Sequence, residues 1–203
     1  MRKYFADPGI WILVLMNAFV MYYYMNHPDS IHTIIALFWL QSVIIGIFNT
    51  LDIFTLSNTV PGSFEINNES GNRQGCAGFF FLLHYGFFHM MYLLFLVPSV
   101  IDLQKLDWSF LRITFWLLIA CSTIEFIRDK VRNKSEAVNI GMMFFMPYAR
   151  IIPMHVIVIL PAFWPKAPGF LFLALKVVAD VIMYIIYKNK VFVAANQLSR
   201  SNK

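Results

Sequence analysis

Apolar residues in this chain form long runs that are separated by short polar segments. Six such runs cover residues 9–25, 32–54, 75–97, 108–127, 140–164 and 170–187. A helix needs about 20 apolar residues to cross the hydrocarbon core of a bilayer. The runs are too long for barrel strands and do not alternate with a period of two. The pattern therefore predicts an all-α polytopic membrane protein, in which residues 1–203 form a single bundle of six transmembrane helices.

Composition supports a lipid-facing protein. The chain is 59% hydrophobic and 13% charged, with a mean hydropathy of +0.64, whereas a soluble domain has about 25% charged residues. The protein is therefore predicted to lie in a lipid bilayer. The net charge of +5 comes from basic residues that flank the apolar runs, which favours lipid headgroups over nucleic acid as their partner. The two cysteines have no CxxC spacing and predict no disulfide framework.

The distribution of basic residues predicts the topology. With the N-terminus in the cytoplasm, the outer loops hold Lys105 and Lys166, or three basic residues when Arg112 is included. The cytoplasmic parts then hold eleven, namely Arg2, Lys3, Arg73, Arg128, Lys130, Arg132, Lys134, Lys188, Lys190, Arg200 and Lys203. This asymmetry follows the positive-inside rule. It predicts that both termini are cytoplasmic.

Several polar side chains interrupt the apolar runs, where each is costly unless it finds a partner. By the rise per residue of a helix, most fall in or beside the middle third of the bilayer, while three lie nearer the cytoplasmic face. Those near the middle are Gln41, His84, His89, Arg150, His155 and Asp180. Those nearer the cytoplasm are Asn49, Asp52 and Glu125. We therefore expect an intramembrane cluster of histidine, arginine and other polar groups.

The histidines are the candidate metal ligands. His84 and His89 are five residues apart, which turns about 140° around a helix, so both are not expected to bind one metal. The sequence instead predicts His155 together with one of the two, and leaves open which one. A pair of imidazoles on separate helices suits Zn, Cu or Fe, or the axial positions of a haem. A nearby amide such as Gln41 would then orient a ligand.

Lys176 and Asp180 are four residues apart in the last run. This spacing places both on one helix face, where they can form an ion pair. Two interpretations remain open. In the first, the two charges neutralise each other. In the second, Asp180 accepts a hydrogen bond from Arg150 or titrates during transport.

Motifs of soluble catalysis are absent. The chain contains no GxGxxG, GxxxxGK[ST], HExxH or GxSxG, which are typical of nucleotide, zinc and serine-hydrolase sites. The serines in apolar runs, Ser42 and Ser122, lack the glycine-rich context that a rhomboid-like serine protease would need. The sequence thus leaves open whether the protein is an enzyme.

Three segments resemble one family. WLQSVIIGIFN in the second run, FLLHYGFFH in the third and RIIPMH in the fifth are similar to a bacterial family of multipass membrane proteins of unknown function. The resemblance extends from Gln41 to His155, and HYGxFH is its most specific part. It implies an acidic residue where this chain has Gln41. It implies a fold, a set of polar positions and a location in the inner (plasma) membrane of a bacterium, but no activity.

Four functions fit these observations. The first is a metal or haem site at His84, His89 and His155. The second is a small transporter or a proton or ion pathway, with a small-molecule or ion ligand, along Asp52, Glu125, Arg150 and the histidines. The third is an intramembrane enzyme acting on lipid or quinone. The fourth is a structural or assembly role, and the oligomeric state stays open.

Overall fold

All regular elements that the structure describes are helical. A computed structural model of the chain describes residues 8–56, 73–132, 140–148, 152, 170 and 173–186. Its elements are α1 (Pro8–Asn26), α2 (Ile31–Phe54), α3 (Arg73–Ser99), a 3-10 turn (Leu103–Lys105) and α4 (Trp108–Arg132). Two further helical stretches are α5 (residues 140–148) and α6 (residues 173–186). The predicted all-α class is confirmed.

Four of these helices are long and apolar enough to cross a membrane. They are α1, α2, α3 and α4, with 19 to 25 residues in each apolar segment, and they correspond to the first four predicted runs. Most of residues 149–172 lie outside the described part of the chain, so the spans predicted at 140–164 and 170–187 stay predictions. The apolar helices indicate a lipid bilayer as the surroundings of the protein.

The second helix is the centre of the bundle. Of its apolar segment 44% is buried inside the protein, against 17–22% for α1, α3 and α4. Helices α3 and α4 both pack on α2, and the core between them contains Ile34, Leu37 and Phe38 of α2 with Leu96 of α3 and Leu111 of α4. The other helices expose their remaining faces, because lipid tails solvate apolar side chains as well as a protein core does.

One narrow stripe of α3 faces the protein. Phe81, Tyr85 and His89, at four-residue intervals, are at most 5% exposed. The residues between them are exposed on the opposite side, including Phe87 and Phe88. Such a continuous aromatic surface is untypical of a water-soluble monomer. It fits a helix that turns one seam inward and the rest of its surface toward lipid.

The connection between α3 and α4 is tied to the first two helices. The Asp107 carboxylate accepts from the Phe110 N–H at 2.9 Å, which caps α4, and from the Tyr23 hydroxyl at 2.8 Å. The Asp107 N–H donates to Thr33 Oγ1 at 3.0 Å. The Phe110 N–H and then the Tyr23 hydroxyl lower the pKa of Asp107. The ionised carboxylate therefore joins α1 to α4, and the backbone N–H of the same residue adds the end of α2.

Candidate functional site

A buried ion pair with two amide partners lies between α1, α2 and α6. The ammonium Nζ of Lys176 lies 2.6 Å from Asp180 Oδ2, 2.9 Å from Gln41 Oε1 and 3.2 Å from Asn17 Oδ1. Asn17 Nδ2 in turn donates to Asp180 Oδ2 at 3.3 Å. An ammonium has three N–H donors, and here each has an acceptor. We call these four residues the central cluster.

The central cluster is shielded from solvent. Asn17 is 6% exposed, and Lys176 and Asp180 are each 7% exposed. The Lys176 ammonium also lies 4.4 Å from the centroid of the Phe38 ring, a cation–π distance. Charges in a membrane interior persist only when they are paired. The cluster therefore fastens α6 to α1 and α2.

A small void brings α4 to the same place. Its volume is about 10 Å³, and its lining includes Asn17, Gln41, Thr114 and Lys176. Thr114 is 1% exposed, and its hydroxyl has no hydrogen-bond partner among the residues that the structure describes. A void of this size has room for about one water molecule. The polar surroundings of Lys176 thus extend to a fourth helix.

A second polar region opens about two helical turns from the central cluster. This polar cleft has a volume of about 120 Å³ and contains charges of both signs. Its polar lining consists of Asn49, Asp52, Ser122, Glu125, Arg128, Asp129 and Tyr184. Arg128 Nη2 lies 3.3 Å from Asp129 Oδ1 and 3.9 Å from Glu125 Oε1. Lys130 lies 3.3 Å from Asp52, so the cleft walls are held by ion pairs.

Helix α6 connects the two polar regions. Lys176, Asp180 and Tyr184 follow each other at four-residue intervals and share one helix face. The first two belong to the central cluster, and Tyr184 lines the polar cleft. Helix α2 spans the same distance. Its Gln41 belongs to the central cluster and its Asn49 lines the polar cleft, eight residues and about 12 Å further along the helix. We call this arrangement the polar track.

The first helix borders the cleft end of the track through a glycine. A Cβ added at Gly9 would lie 2.7 Å from Glu125 Oε1 and 2.9 Å from Arg128 Nη2, and it would overlap the Tyr184 hydroxyl. No other residue type leaves this space open. Gly9 and Asn17, eight residues apart, thus place α1 beside both ends of the polar track.

His89 belongs to a separate buried network between α2 and α3. Its Nδ1 lies 3.0 Å from the Tyr85 carbonyl oxygen, which only accepts, so Nδ1 carries the proton. In the neutral ring, Nε2 then accepts from the Ser42 hydroxyl at 2.9 Å. The Tyr85 hydroxyl donates to the Ser42 carbonyl at 3.0 Å. Ser42 and His89 are 8% and 5% exposed, so we assign this trio as a lock between two helices.

His84 has different surroundings. It is exposed on the lipid side of α3, its Nδ1 lies 2.5 Å from the Tyr148 hydroxyl, and its ring stacks on Phe80. His84 and His89 therefore point to different faces of α3, as their spacing predicts. His89 is the one that faces the bundle interior, toward α2. His84 meets α5 instead.

The histidines within the described ranges do not fit a shared metal or a haem. Both ring nitrogens of His89 are already in hydrogen bonds, and His84 points away from it. Across the described part of the chain, no group of three or more His, Cys, Asp or Glu side chains could hold a metal ion. His155 and Arg150 lie outside the described residues. The metal or haem site at His84, His89 and His155 stays a prediction.

Comparison with known proteins identifies the family. A family model described as a family of unknown function, DUF6498, matches residues 1–200. The chain belongs to this family. No curated protein and no solved structure matches it. The predicted resemblance to a family of unknown function is in agreement with this result, and the activity of this DUF6498 protein has to be inferred from its geometry.

The predicted polar residues of the DUF6498 protein fall into both regions. Gln41 and Asp180 belong to the central cluster, and Asn49 and Glu125 line the polar cleft. Arg150 lies outside the described residues. The predicted ion pair of Lys176 with Asp180 is present. The predicted pathway through His84 stays a prediction, because its ring contacts Tyr148 of α5 and the next predicted members, Arg150 and His155, lie outside the described residues.

Sequence reasoning missed Asn17 and Tyr184. Asn17 is the one amide in the apolar run 9–25, which was a usable signal for a buried partner. Tyr184 had no such signal, since tyrosine is ordinary near the end of a membrane helix. Its position one turn after Asp180 is informative only once the cleft is known.

Replacing the two histidines with alanine should separate their roles. His89→Ala removes an acceptor from Ser42 and leaves a hole between α2 and α3, so we expect it to lower the free energy of unfolding by about 1–3 kcal/mol. His84→Ala alters an exposed side chain and should change it by less than about 1 kcal/mol. Unfolding in mixed detergent micelles, followed by circular dichroism, measures both. Equal losses in the two variants would contradict the assignment of the buried lock.

Proposed function

We propose that this DUF6498 protein is a small multipass membrane transporter or ion pathway protein, whose conducted species enters at the polar cleft and reaches the central cluster. The observation that supports it most is the buried Lys176–Asp180 pair, which continues along one face of α6 to Tyr184 and the cleft. Ionisable groups inside a membrane commonly mark such pathways.

The central cluster offers a defined place for a proton or a small cation. Asp180 holds the only carboxylate of the cluster, and Lys176 supplies its countercharge at 2.6 Å. A proton that arrives from the cleft would bind an Asp180 oxygen and neutralise the carboxylate. The Lys176 ammonium would keep Gln41 and Asn17 as acceptors. Protonation of Asp180 therefore weakens the contact of α6 with α1 and α2 without breaking it.

The size of the polar cleft limits what can enter. Its volume of about 120 Å³ has room for a small cluster of water molecules, since about 10–15 Å³ of such a cavity holds one water. Arg128 and Lys130 contribute positive charge, and Asp52, Glu125 and Asp129 contribute negative charge. Such a cleft suits a proton with its water, a small ion, or a small solute with charges of both signs.

Charge asymmetry supports an orientation for this pathway. The polar cleft lies at the end of the bundle where α1 begins and α2 ends, as the positions of Gly9 and Asp52 indicate. We infer six spans with both termini cytoplasmic in a bacterial inner membrane, because the basic residues flank this end. The cleft would then open to the cytoplasm, and the central cluster would lie near the middle of the bilayer.

A flux assay tests the proposal. Purified protein in liposomes that contain a pH-sensitive dye should relax an imposed proton gradient faster than empty liposomes. Asp180→Asn should lower this rate about tenfold or more, because it removes the titratable intramembrane group. Tyr184→Phe, which keeps the ring and removes the hydroxyl, should lower it to a smaller extent.

The matched control is Asp102→Asn, which neutralises an exposed carboxylate at the opposite end of the bundle, 3.3 Å from Lys105. This variant should keep the full rate. The same liposomes are also tested with Na⁺ and K⁺ gradients. The proposal would be rejected if the protein accelerates none of the three fluxes, or if Asp180→Asn conducts as well as the unmodified protein.

A further inference from the structure

An apolar groove lies on the membrane-facing side of the bundle, away from the polar track. Its volume is about 490 Å³, within the range of small-molecule sites, and nearly all of its surface is apolar. Ala36 and Leu40 of α2 form its floor, Val97 of α3 lies on one wall, and Leu111 and Phe115 of α4 lie on the other. The groove exists because α3 and α4 pack on α2 rather than mainly on each other.

One cation lies at the edge of this groove. Arg112 is exposed and lines the groove together with Trp108, one turn earlier on the same face of α4. Four residues separate it from the start of α4, which places its Cα about 6 Å inside the helix end. Among the described residues, Arg112 has no hydrogen bond and no ion pair with the protein. Its guanidinium therefore has no anion of its own in this part of the chain.

Of the described carboxylates at this end of the bundle, Asp102 and Asp107 have other partners, and Asp29, in the turn between α1 and α2, forms no ion pair with Arg112. Asp102 pairs with Lys105 at 3.3 Å and accepts from the Gln104 N–H. Asp107 accepts from Tyr23 and caps α4. An arginine one turn inside a membrane helix extends its side chain toward the headgroup region. The anion available in that region is a lipid phosphate, which a guanidinium can bind through two parallel hydrogen bonds.

We propose that the groove is a binding site for one phospholipid of the adjacent leaflet, with an acyl chain between α3 and α4 and the phosphate on Arg112. From Trp108 to Phe115 the groove follows about 10 Å of α4, which accommodates the upper part of an acyl chain. The exposed Trp108 ring lies at headgroup level, where tryptophan is enriched. This site is independent of the proposed transport function.

The floor of the groove is rigid, which distinguishes it from ordinary lipid contact. The Trp39 ring lines it and donates its Nε1–H to the His89 carbonyl oxygen at 3.2 Å. His89 is itself held by Ser42 in the buried lock. The concave shape is therefore fixed by hydrogen bonds between α2 and α3. An acyl chain binds a preformed concave site with a more favourable free energy than it binds a convex helix surface, because the site does not have to be ordered first.

Fluorescence quenching of Trp39 tests the proposal. A variant that keeps Trp39 and carries Phe at the four other tryptophan positions is purified in detergent. It is titrated with phosphatidylglycerol that carries brominated acyl chains, and separately with diacylglycerol that carries the same chains but no phosphate. We expect the phospholipid to quench at an about tenfold lower mole fraction, because only it can bind Arg112.

Three variants complete the test. Arg112→Gln should abolish the difference between the two lipids, while Lys105→Gln, which removes a charge at the same end outside the groove, should preserve it. Ala36→Phe fills the floor of the groove while Arg112 is intact, so it should reduce quenching by the phospholipid. This variant still tests the site if Arg112→Gln folds poorly. Equal quenching by both lipids would overturn the site in favour of ordinary annular lipid. A dimer in detergent with Trp39 shielded from both lipids would overturn it in favour of a second copy.

Discussion

Replacing Lys176 with methionine is expected to lower the free energy of unfolding by about 3–5 kcal/mol, because it leaves a buried carboxylate without its countercharge. Asp180 is 7% exposed, and its Oδ2 accepts from Lys176 at 2.6 Å and from Asn17 at 3.3 Å. One amide cannot replace an ammonium as a partner. Denaturation in mixed detergent micelles, followed by far-ultraviolet circular dichroism, measures the loss.

The double variant Lys176→Met/Asp180→Leu is the informative companion. Removing both charges of a buried pair is often neutral or stabilising, so we expect it to recover most of the lost stability. Lys105→Met is the matched control, because its pair with Asp102 is exposed and is worth less than about 1 kcal/mol. A loss below that value for Lys176→Met would show that the pair is solvated in the membrane.

The same double variant separates stability from transport. A protein that needs the pair only to hold α6 in place would keep its flux when two apolar residues replace the charges. A pathway that loads Asp180 would lose its flux although the bundle is intact. A stable but inactive double variant is therefore the result that the proposed function requires.

Introducing a methyl group at Gly46 is the second substitution with a large expected effect. Its Cβ would overlap the Tyr85 ring, whose Cδ1 would lie 2.6 Å away. The ring cannot move freely, because its hydroxyl donates to the Ser42 carbonyl and it packs on His89 with a centroid distance of 4.1 Å. We expect Gly46→Ala to lower the free energy of unfolding by about 1–3 kcal/mol.

Gly86 provides the control for this prediction. It lies next to Tyr85 on α3, and a Cβ added there would meet nothing within 4 Å. Gly86→Ala should therefore be neutral, or stabilising by up to about 1 kcal/mol through its higher helix propensity. The two variants are compared by unfolding in the same micelles. Similar losses for both would mean that α2 and α3 do not pack at Gly46.

The close approach at Gly46 illustrates what was predictable. In a membrane, small residues let two helix backbones come together and polar side chains bond across the contact. The segment from Trp39 to Asn49 contains Gly46 and Ser42 four residues apart, and α3 contains Tyr85 and His89 with the same spacing. The periodicity alone shows that each pair shares a face. It does not show that the two faces meet.

The ion pair illustrates the same limit. The four-residue spacing of Lys176 and Asp180 brings them together in any α-helix, so their 2.6 Å contact was predictable. Gln41 and Asp180 were expected at similar depths, and both belong to the central cluster. Asn17 completes the cluster from a third helix. This contact was not predictable, because the depth of a residue in the membrane does not show how its helix is rotated.

The sequence by itself determined the helical class, the positions of the first four apolar helices to within five residues and the contact of Lys176 with Asp180, because these depend on chain length, hydropathy and the helix repeat alone. Only the tertiary structure decided that His89 faces α2 while His84 faces lipid, and that Tyr184 joins Asp180 to the polar cleft. Those outcomes depend on how each helix is rotated about its axis. In lipid that rotation is set by close packing and a few interhelical hydrogen bonds, and not by hydrophobicity, since apolar side chains are accommodated on every face.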